Sequence, residues 1–126
     1  AKSIINSCKR IIEEHNSKVP ATMEDLTKLQ GIARKTANVI LSNGFKKIEG
    51  IIVDTHVIRV AKRLGLTKNE NPEKIEQDLM NILPKNEWFL FSERIKLLGQ
   101  NVCRAPIPKC DICRLNKICP SAFKIR

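Results

Sequence analysis

Apolar residues recur with helical spacing along most of the chain. Near the start, they form one stripe of an amphipathic helix: Ile4, Ile5, Cys8, Ile11 and Ile12. We expect this helix to end near His15-Asn16, and we expect Cys8 to be a small core residue on its apolar face. The first segment is therefore predicted to pack as an α-helix.

Capping residues set the bounds of the next two helices. Thr22, followed three residues later by Asp25, predicts a helix start, and this helix should run through Leu29. Residues 30–33 interrupt it, and another helix should run from about Arg34 to Asn43-Gly44, because glycine commonly ends a helix. The segment is thus predicted to be a helical hairpin.

The second half of the chain is also predicted to be helical until its cysteines begin. Residues 51–53 are three β-branched residues with no evident partner strand, and we interpret them as a buried loop. Asp54 can cap a helix to Leu64, and Asn71-Pro72 can start one to about Leu83. A last helix should span about 87–100. The fold class is therefore all-α, with a cysteine-rich segment after the helices.

The net charge of the chain narrows the classes of molecule that it could bind. The chain has 126 residues, and 23 Lys+Arg against 13 Asp+Glu give a net charge of +10. Such a surface suits nucleic acid or an anionic membrane face. No apolar run approaches the roughly 20 residues that span a bilayer, and no signal-like segment is evident, so we expect an intracellular protein. The 4% aromatic content argues against base-stacking sheet platforms.

Four of the five cysteines stand close together, with the spacing C-x6-C-x2-C-x5-C: Cys103, Cys110, Cys113 and Cys119. The odd count and the absence of a secretory segment argue against disulfides. Because four neighbouring thiolates repel one another, they indicate a metal centre. Structural zinc usually uses two paired knuckles, whereas this compact loop suits an iron–sulfur cluster; zinc stays the alternative.

The loop between the first two of these cysteines carries a cation at each end, Arg104 and Lys109, and two prolines between them. Prolines stiffen such a loop, which would hold the two cations at fixed positions. Phosphate groups of nucleic acid are the natural partners of such cations. The segment from Arg94 to Arg126 contains eight basic residues and one acidic residue, and a solvated basic tail is the alternative interpretation.

The hairpin turn is a second candidate phosphate site. Gly31 permits a left-handed backbone, and the amides of Gly31, Ile32, Ala33 and Arg34 would point out of the N-terminus of the following helix. Arg34 and Lys35 add positive charge there. An ordinary packing corner between two helices is the alternative.

The hairpin, the stretch Val53-Asp54-Thr55-His56 and the cysteine loop occur in the order found in endonuclease III, which they resemble from Lys2 to Cys119. That family belongs to the helix–hairpin–helix DNA glycosylases of base excision repair. The resemblance implies a partial helical barrel in residues 1–53, with the hairpin at about 23–44. It further implies a helical domain in residues 54–126 that ends in an iron–sulfur cluster loop at 103–119.

The resemblance also implies an activity, a base excision repair DNA glycosylase with abasic-site lyase activity. The family extrudes a damaged base, usually an oxidised pyrimidine, from double-stranded DNA. A lysine then attacks the sugar and displaces the base, and the resulting Schiff base breaks the strand by β-elimination. Lys35 matches that lysine, Asp54 matches the aspartate that assists base departure, and the four clustered cysteines match the ligands of a 4Fe-4S cluster.

Elementary chemistry is compatible with these roles. A nucleophilic amine must be neutral, and Arg34 together with the positive end of a helix disfavours the ammonium form of Lys35. In the alternative interpretation, Lys35 only binds phosphate and Asp54 only caps its helix. We expect His56 to be structural or to contact phosphate, and Trp88 to be a core residue.

The sequence departs from the family in two respects. The family usually shows Leu-Pro-Gly-Val-Gly before its Arg-Lys, whereas Gln30 replaces the proline and Ala33 the second glycine here. The chain also starts within what looks like the middle of a family member. We therefore expect a C-terminal fragment that could dimerise through an exposed barrel face. The alternatives are a non-catalytic iron–sulfur DNA-binding module and a zinc-stabilised structural domain; in the favoured interpretation the protein is cytoplasmic and nucleoid-associated.

Overall fold

The computed structural model describes residues 1–125, and within them every regular element is helical. The six α-helices are α1 Lys2–Glu14, α2 Met23–Lys28, α3 Arg34–Gly44, α4 Thr55–Arg63, α5 Pro72–Ile82 and α6 Trp88–Asn101. Two 3₁₀ turns lie at Lys85–Glu87 and Cys110–Ile112. None of the helices in residues 1–125 has the length and hydropathy that crossing a membrane requires. The predicted all-α class is confirmed.

Side-chain caps start the helices where the sequence predicted them. The Thr22 hydroxyl accepts a hydrogen bond from the Asp25 backbone N–H at 3.2 Å and donates one to Asp25 Oδ2 at 2.9 Å. The Asn71 side chain accepts from the backbone N–H groups of Glu73 and Lys74, and Pro72 is the first residue of α5. The observed helix ends differ from the predicted ends by a residue or so, as the last turn of a helix commonly frays.

The chain divides into two compact units, one of residues Ala1–Glu49 and one that begins at Gly50. The first unit has its own core, made by side chains of the hairpin: Leu26, Leu29, Ala37 and Leu41. The hairpin turn is therefore anchored by buried leucine from both of its helices. The predicted division of the chain into 1–53 and 54–126 stays a prediction.

The apolar stripe of α1 is exposed, which corrects one expectation. No residue of α1 is buried, and Ile4, Ile5 and Ile12 are 70%, 54% and 62% exposed. Cys8 on the same stripe is exposed as well, so its predicted place in a core is wrong. Of the five residues of this stripe, Ile11 alone is partly buried, because it packs against the hairpin core. Dimerisation through an exposed face stays a prediction.

The second unit has a core of eight buried side chains: Ile51, Val53, Val57, Val60, Ala61, Ile75, Leu79 and Ile95. The predicted buried loop at 51–53 is confirmed, and the Ile52 N–H is satisfied by the Ser92 hydroxyl at 3.1 Å. Trp88 packs against this core and donates its indole N–H to the Leu83 carbonyl at 2.9 Å, as a core residue should.

Helices α4 and α6 approach each other closely at Gly99. A Cβ atom at this glycine would lie 2.9 Å from the Cβ of His56 and 3.2 Å from Val60 Cγ2. Any other residue would force the two helices apart. This close approach brings the arginines of α4 to the end of α6, where the cysteine loop begins.

Candidate functional site

The hairpin turn has the geometry of a type II β-turn. The Ile32 N–H donates to the Leu29 carbonyl at 3.1 Å, and Gly31, the third residue of the turn, has φ +85°. Gln30, the second residue of the turn, does not have a positive φ. The primed turn types require a positive φ at that position, so the turn is of type II. The left-handed backbone predicted for Gly31 is confirmed.

The N-terminus of α3 follows the turn directly. Its N-cap is Ala33, with extended backbone angles (φ −91°, ψ 172°) and no side-chain hydrogen bond to the first turn. The first-turn amides therefore keep their capacity to bind an anion, which the partial positive charge of the helix end favours. Arg34 and Lys35 are the first two residues of α3, and Lys35 is exposed.

Asp54 caps α4 in the second unit. Its Oδ1 accepts a hydrogen bond from the Val57 N–H at 2.8 Å, and the residue is half-buried. Among residues 1–125, we find no hydrogen bond to its other oxygen, Oδ2. The capping role is thus established, and it occupies one of the two carboxylate oxygens. Lys35 lies in the first unit and Asp54 in the second.

The four clustered cysteines are half-buried and line one cavity of about 420 Å³, its open mouth included: Cys103, Cys110, Cys113 and Cys119. All four are free thiols. The rest of the wall is largely apolar and includes Val60, Leu64 and Leu98. Within residues 1–125, no three His, Cys, Asp or Glu side chains have the arrangement that would hold a metal ion.

Two arginines of α4 hold the first part of the cysteine loop. Arg63 Nη1 donates to the Arg104 carbonyl at 2.8 Å and lies 3.4 Å from Cys103 Sγ, and its Nη2 donates to the Pro106 carbonyl at 3.0 Å. Arg59 Nη2 donates to the Gly99 carbonyl at 2.8 Å. Its Nε donates to the Cys103 carbonyl at 3.2 Å. Positive charge is thereby held beside the Cys103 sulfur.

The proline loop between Arg104 and Lys109 is closed at its base. The Val102 carbonyl accepts the backbone N–H of both residues, each at 2.9 Å. Both side chains are exposed, so the two cations stand at the two ends of a tied loop. His56, the other predicted phosphate contact, is half-buried, and its Nδ1 lies 3.2 Å from Arg59 Nη2.

Sequence reasoning missed the residues that hold the loop: Arg59, Arg63 and Asn116. The Asn116 side-chain amide donates to the Cys110 carbonyl at 3.0 Å, which braces the second part of the loop. A signal for the arginines existed, because His56, Arg59 and Arg63 share one face of α4 at i, i+3 and i+7. The sequence alone did not reveal that this face meets the cysteine loop.

Comparisons with known proteins agree with this arrangement. The model of the HhH-GPD superfamily base excision DNA repair proteins matches residues 1–85. Endonuclease III of Synechocystis sp. is 48% identical over 97% of this chain and 56% of its own length. Endonuclease III of Bacillus subtilis is 40% identical over 98% of this chain and 57% of its own length. The chain thus spans little more than half the length of these curated relatives.

Solved structures show the same likeness. A trapped covalent intermediate of endonuclease III with DNA superposes with a TM-score of 0.91 at 39% identity, over 98% of this chain and 58% of that one. A thermostable thymine-DNA glycosylase gives a TM-score of 0.84 at 19% identity, over 98% of this chain and 58% of that one. The second likeness shows the fold alone. The predicted helix–hairpin–helix DNA glycosylase fold and the resemblance to endonuclease III are confirmed.

Proposed function

Because the chain belongs to the HhH-GPD superfamily of base excision DNA repair proteins, we propose that it is a DNA glycosylase with abasic-site lyase activity on double-stranded DNA. Its substrates would be oxidised pyrimidines, and its place in the cell the cytoplasm and nucleoid. The observation that carries the proposal is the position of Lys35. This exposed amine lies one residue into a helix whose N-terminus follows an anion-binding turn.

The hairpin turn would bind a DNA phosphate. The backbone of Gly31, Ile32, Ala33 and Arg34 presents the N–H groups, and the helix end supplies partial positive charge. This contact carries no sequence information, which suits a repair enzyme that must act at many sequences. Arg104, Lys109 and His56 are the further proposed DNA contacts, supported by the exposed, tied positions of the first two.

Lys35 would act as the nucleophile. Its neutral Nζ attacks C1′ of the damaged nucleotide, the bond from C1′ to the base breaks, and the base leaves with a proton. The C1′–O4′ bond then breaks, O4′ takes a proton and becomes a hydroxyl, and the nitrogen lone pair forms the Schiff base between Lys35 Nζ and C1′. Removal of a C2′ proton breaks the bond to the 3′ phosphate and cleaves the strand. At a pre-formed abasic site the amine condenses with the aldehyde, releases water and enters the same path.

Asp54 would move the protons of this reaction. One of its oxygens holds the α4 cap, which fixes the carboxylate on the helix end, and Oδ2 is available to take or give a proton. A capping bond and a proton-transfer role are therefore compatible in one side chain. In this proposal, Oδ1 holds the carboxylate in place through the cap, and Oδ2 transfers the proton.

The four cysteines would hold a 4Fe-4S cluster, with zinc as the alternative. Their thiols surround a cavity with an apolar wall, and a cluster occupies a volume between its ligands, whereas a single ion occupies a point. Four half-buried free thiols on one cavity supply the ligand number of such a cluster, while residues 1–125 contain no three ligands gathered around a single ion position. When bound, the cluster would fix the path of the chain between its ligands. Arg63 contributes positive charge next to the Cys103 sulfur and three hydrogen bonds to the loop backbone.

The test separates catalysis from DNA binding. Strand cleavage and affinity are measured on a duplex with one abasic site for the wild type, Lys35→Ala and a matched control, Lys74→Ala, which removes another exposed lysine from the first turn of a helix. We expect Lys35→Ala to lose cleavage while its affinity changes by less than about threefold. Full cleavage by Lys35→Ala would contradict the proposal. Binding without cleavage by the wild type would favour a non-catalytic DNA-binding module.

A further inference from the structure

The polar face of α1 contacts the hairpin turn. The Asn6 side-chain amide donates to Gln30 Oε1 at 2.6 Å, and the Ser7 hydroxyl donates to the Gln30 backbone carbonyl at 2.9 Å. One helical turn further on, Arg10 Nη1 donates to the Lys28 carbonyl at 2.8 Å. Arg10 follows Asn6 by four residues and Ser7 by three, so it lies one turn beyond both on the same side of α1. Thus the polar face of α1 contacts the hairpin turn, while Ile11 of the apolar stripe packs against the hairpin core.

The same face of α1 also limits the space around Gly31. A Cβ atom built at Gly31 would lie 3.3 Å from Ser3 Cβ, which is a tight contact. Helix α1 therefore lies against the turn at its third residue and bonds to it at its second. Movement of the turn toward α1 is blocked by packing, and movement away breaks hydrogen bonds to Gln30.

Gln30 occupies the turn position that proline favours. It is the second residue of the type II turn, where proline fixes φ near the required value. The preceding residue, Leu29, already has the extended ψ of 136° that suits a residue before proline. Within residues 1–125 the Gln30 N–H makes no backbone hydrogen bond that a proline would remove. The family that the sequence resembles usually has proline there.

We propose that the side chains of Asn6 and Ser7 hold the turn in its phosphate-binding conformation by bonding Gln30, in place of the missing proline. A proline stiffens the turn through its own ring, whereas Gln30 acquires the same restraint from a helix more than twenty residues away. Asn6, Ser7 and Gln30 are thus positioning residues for the amides of residues 31–34. The inference rests on the proposed function, because it assigns those amides to a DNA phosphate.

The experiment combines removal of the restraint with its replacement. The double variant Asn6→Ala/Ser7→Ala removes both bonds to Gln30, and the triple variant adds Gln30→Pro. Asn81→Ala, which removes an exposed asparagine from α5, is the matched control. Affinity is measured on a duplex carrying a stable abasic-site analogue. The rate of borohydride trapping is measured at saturating abasic DNA.

We expect the double variant to bind about three- to tenfold more weakly, since two hydrogen bonds are lost. Its trapping rate at saturation should stay unchanged, because Lys35 is untouched. The triple variant should regain wild-type affinity, which a merely structural loss on α1 would not allow. Gln30→Pro alone should bind at least as tightly as the wild type. In the free protein, the Ile32 N–H, which donates to the Leu29 carbonyl across the turn, should exchange hydrogen faster in the double variant and return to the wild-type rate in the triple variant.

Two results would overturn the inference: unchanged affinity and exchange in the double variant, or no rescue by Gln30→Pro. Failure of the proposed function has a different signature. If the wild type itself does not bind the abasic duplex, the DNA-binding proposal fails. The part of the inference that concerns phosphate binding then fails as well. The exchange rates then still decide whether the two side chains restrain the turn.

Discussion

The hairpin turn and the cysteine loop are two candidate DNA-contacting loops that hold their shape in different ways. The turn at residues 29–32 is formed by its own backbone, through one hydrogen bond across the turn and a left-handed Gly31, and α1 adds a restraint at Gln30. The cysteine loop depends on Arg59 and Arg63, which precede the atoms they bind by about forty residues. The turn thus depends mainly on residues next to it in the sequence, whereas the loop depends on residues far from it in the sequence.

This difference determines what each region can tolerate. A locally specified turn needs only modest support from α1, so single side-chain losses there should have small effects. The loop has little regular structure of its own, and four thiols must stay in place around one cavity. Loss of an arginine or a cysteine should therefore have larger consequences in the loop than loss of any one contact in the turn.

The largest expected effect concerns Asp54, which has a capping bond as well as a proposed catalytic role. Asparagine caps helices as well as aspartate does, so Asp54→Asn should leave the melting temperature nearly unchanged. It should lower the rate of strand cleavage at an abasic site by about 10² or more, because the amide cannot transfer protons. Asp54→Ala should lose about 1 kcal/mol of stability in addition. Equal cleavage by Asp54→Asn and the wild type would reduce Asp54 to a cap.

Cysteine substitution tests which thiols belong to the metal centre. Cys110→Ser should reduce the iron content and the visible absorbance of the purified protein at least about tenfold, because a serine is a poor ligand for iron–sulfur clusters. Cys8→Ser is the matched control, since Cys8 is an exposed thiol outside the loop. Bound zinc in place of iron would establish the alternative metal. Iron loss in the Cys8 variant would mean that the loop is not the sole site.

Sequence reasoning succeeded mainly for features that are specified locally along the chain. The buried loop at 51–53 was predicted from its three β-branched residues and the lack of a partner strand, although its Ile52 N–H bonds Ser92, 40 residues away. The helices, the left-handed Gly31 and the caps at Thr22, Asp54 and Asn71 were predicted, because each depends on residues near one another in the sequence. The loop cysteines were found for the same reason. Their supports, Arg59 and Arg63, were not found, because contact between α4 and the loop depends on how α4 and α6 pack at Gly99. Cys8 was misplaced because amphipathicity predicts an apolar face but not what covers it.

A smaller effect is expected for Arg63, whose role is to retain the cluster. Arg63→Gln should shorten the lifetime of the bound iron in the presence of a chelator by about two- to tenfold, since charge-assisted bonds to the loop are lost. The control is Lys62→Gln on the same helix, which should behave as the wild type, because Lys62 pairs with the exposed Glu70 and such surface pairs contribute little. Equal iron loss from both variants would show that the loop does not depend on Arg63.

The smallest expected effect lies outside both loops, at Asp78. Two hydrogen bonds lower the pKa of Asp78 below its ordinary value of 3.8. The bond from Thr67 has the larger effect, and the bond from Asn69 has the smaller. A carboxyl with a lowered folded-state pKa stabilises the fold at pH values above its unfolded pKa and loses that contribution as pH falls through the folded pKa. The difference in urea midpoint between wild type and Asp78→Asn should therefore be present at neutral pH and shrink in acid. A difference independent of pH would contradict the assignment.

The central claim is that Lys35, the second residue of the helix that follows the hairpin turn, forms a Schiff base with abasic DNA. The most direct measurement is borohydride trapping of the chain on a duplex with one abasic site, with Lys35→Ala beside it. We predict a covalent protein–DNA adduct for the wild type, cross-linked through Lys35 on peptide mapping, and none for the variant. An adduct that persists in Lys35→Ala, or a wild type that binds the duplex and forms no adduct, would contradict the claim.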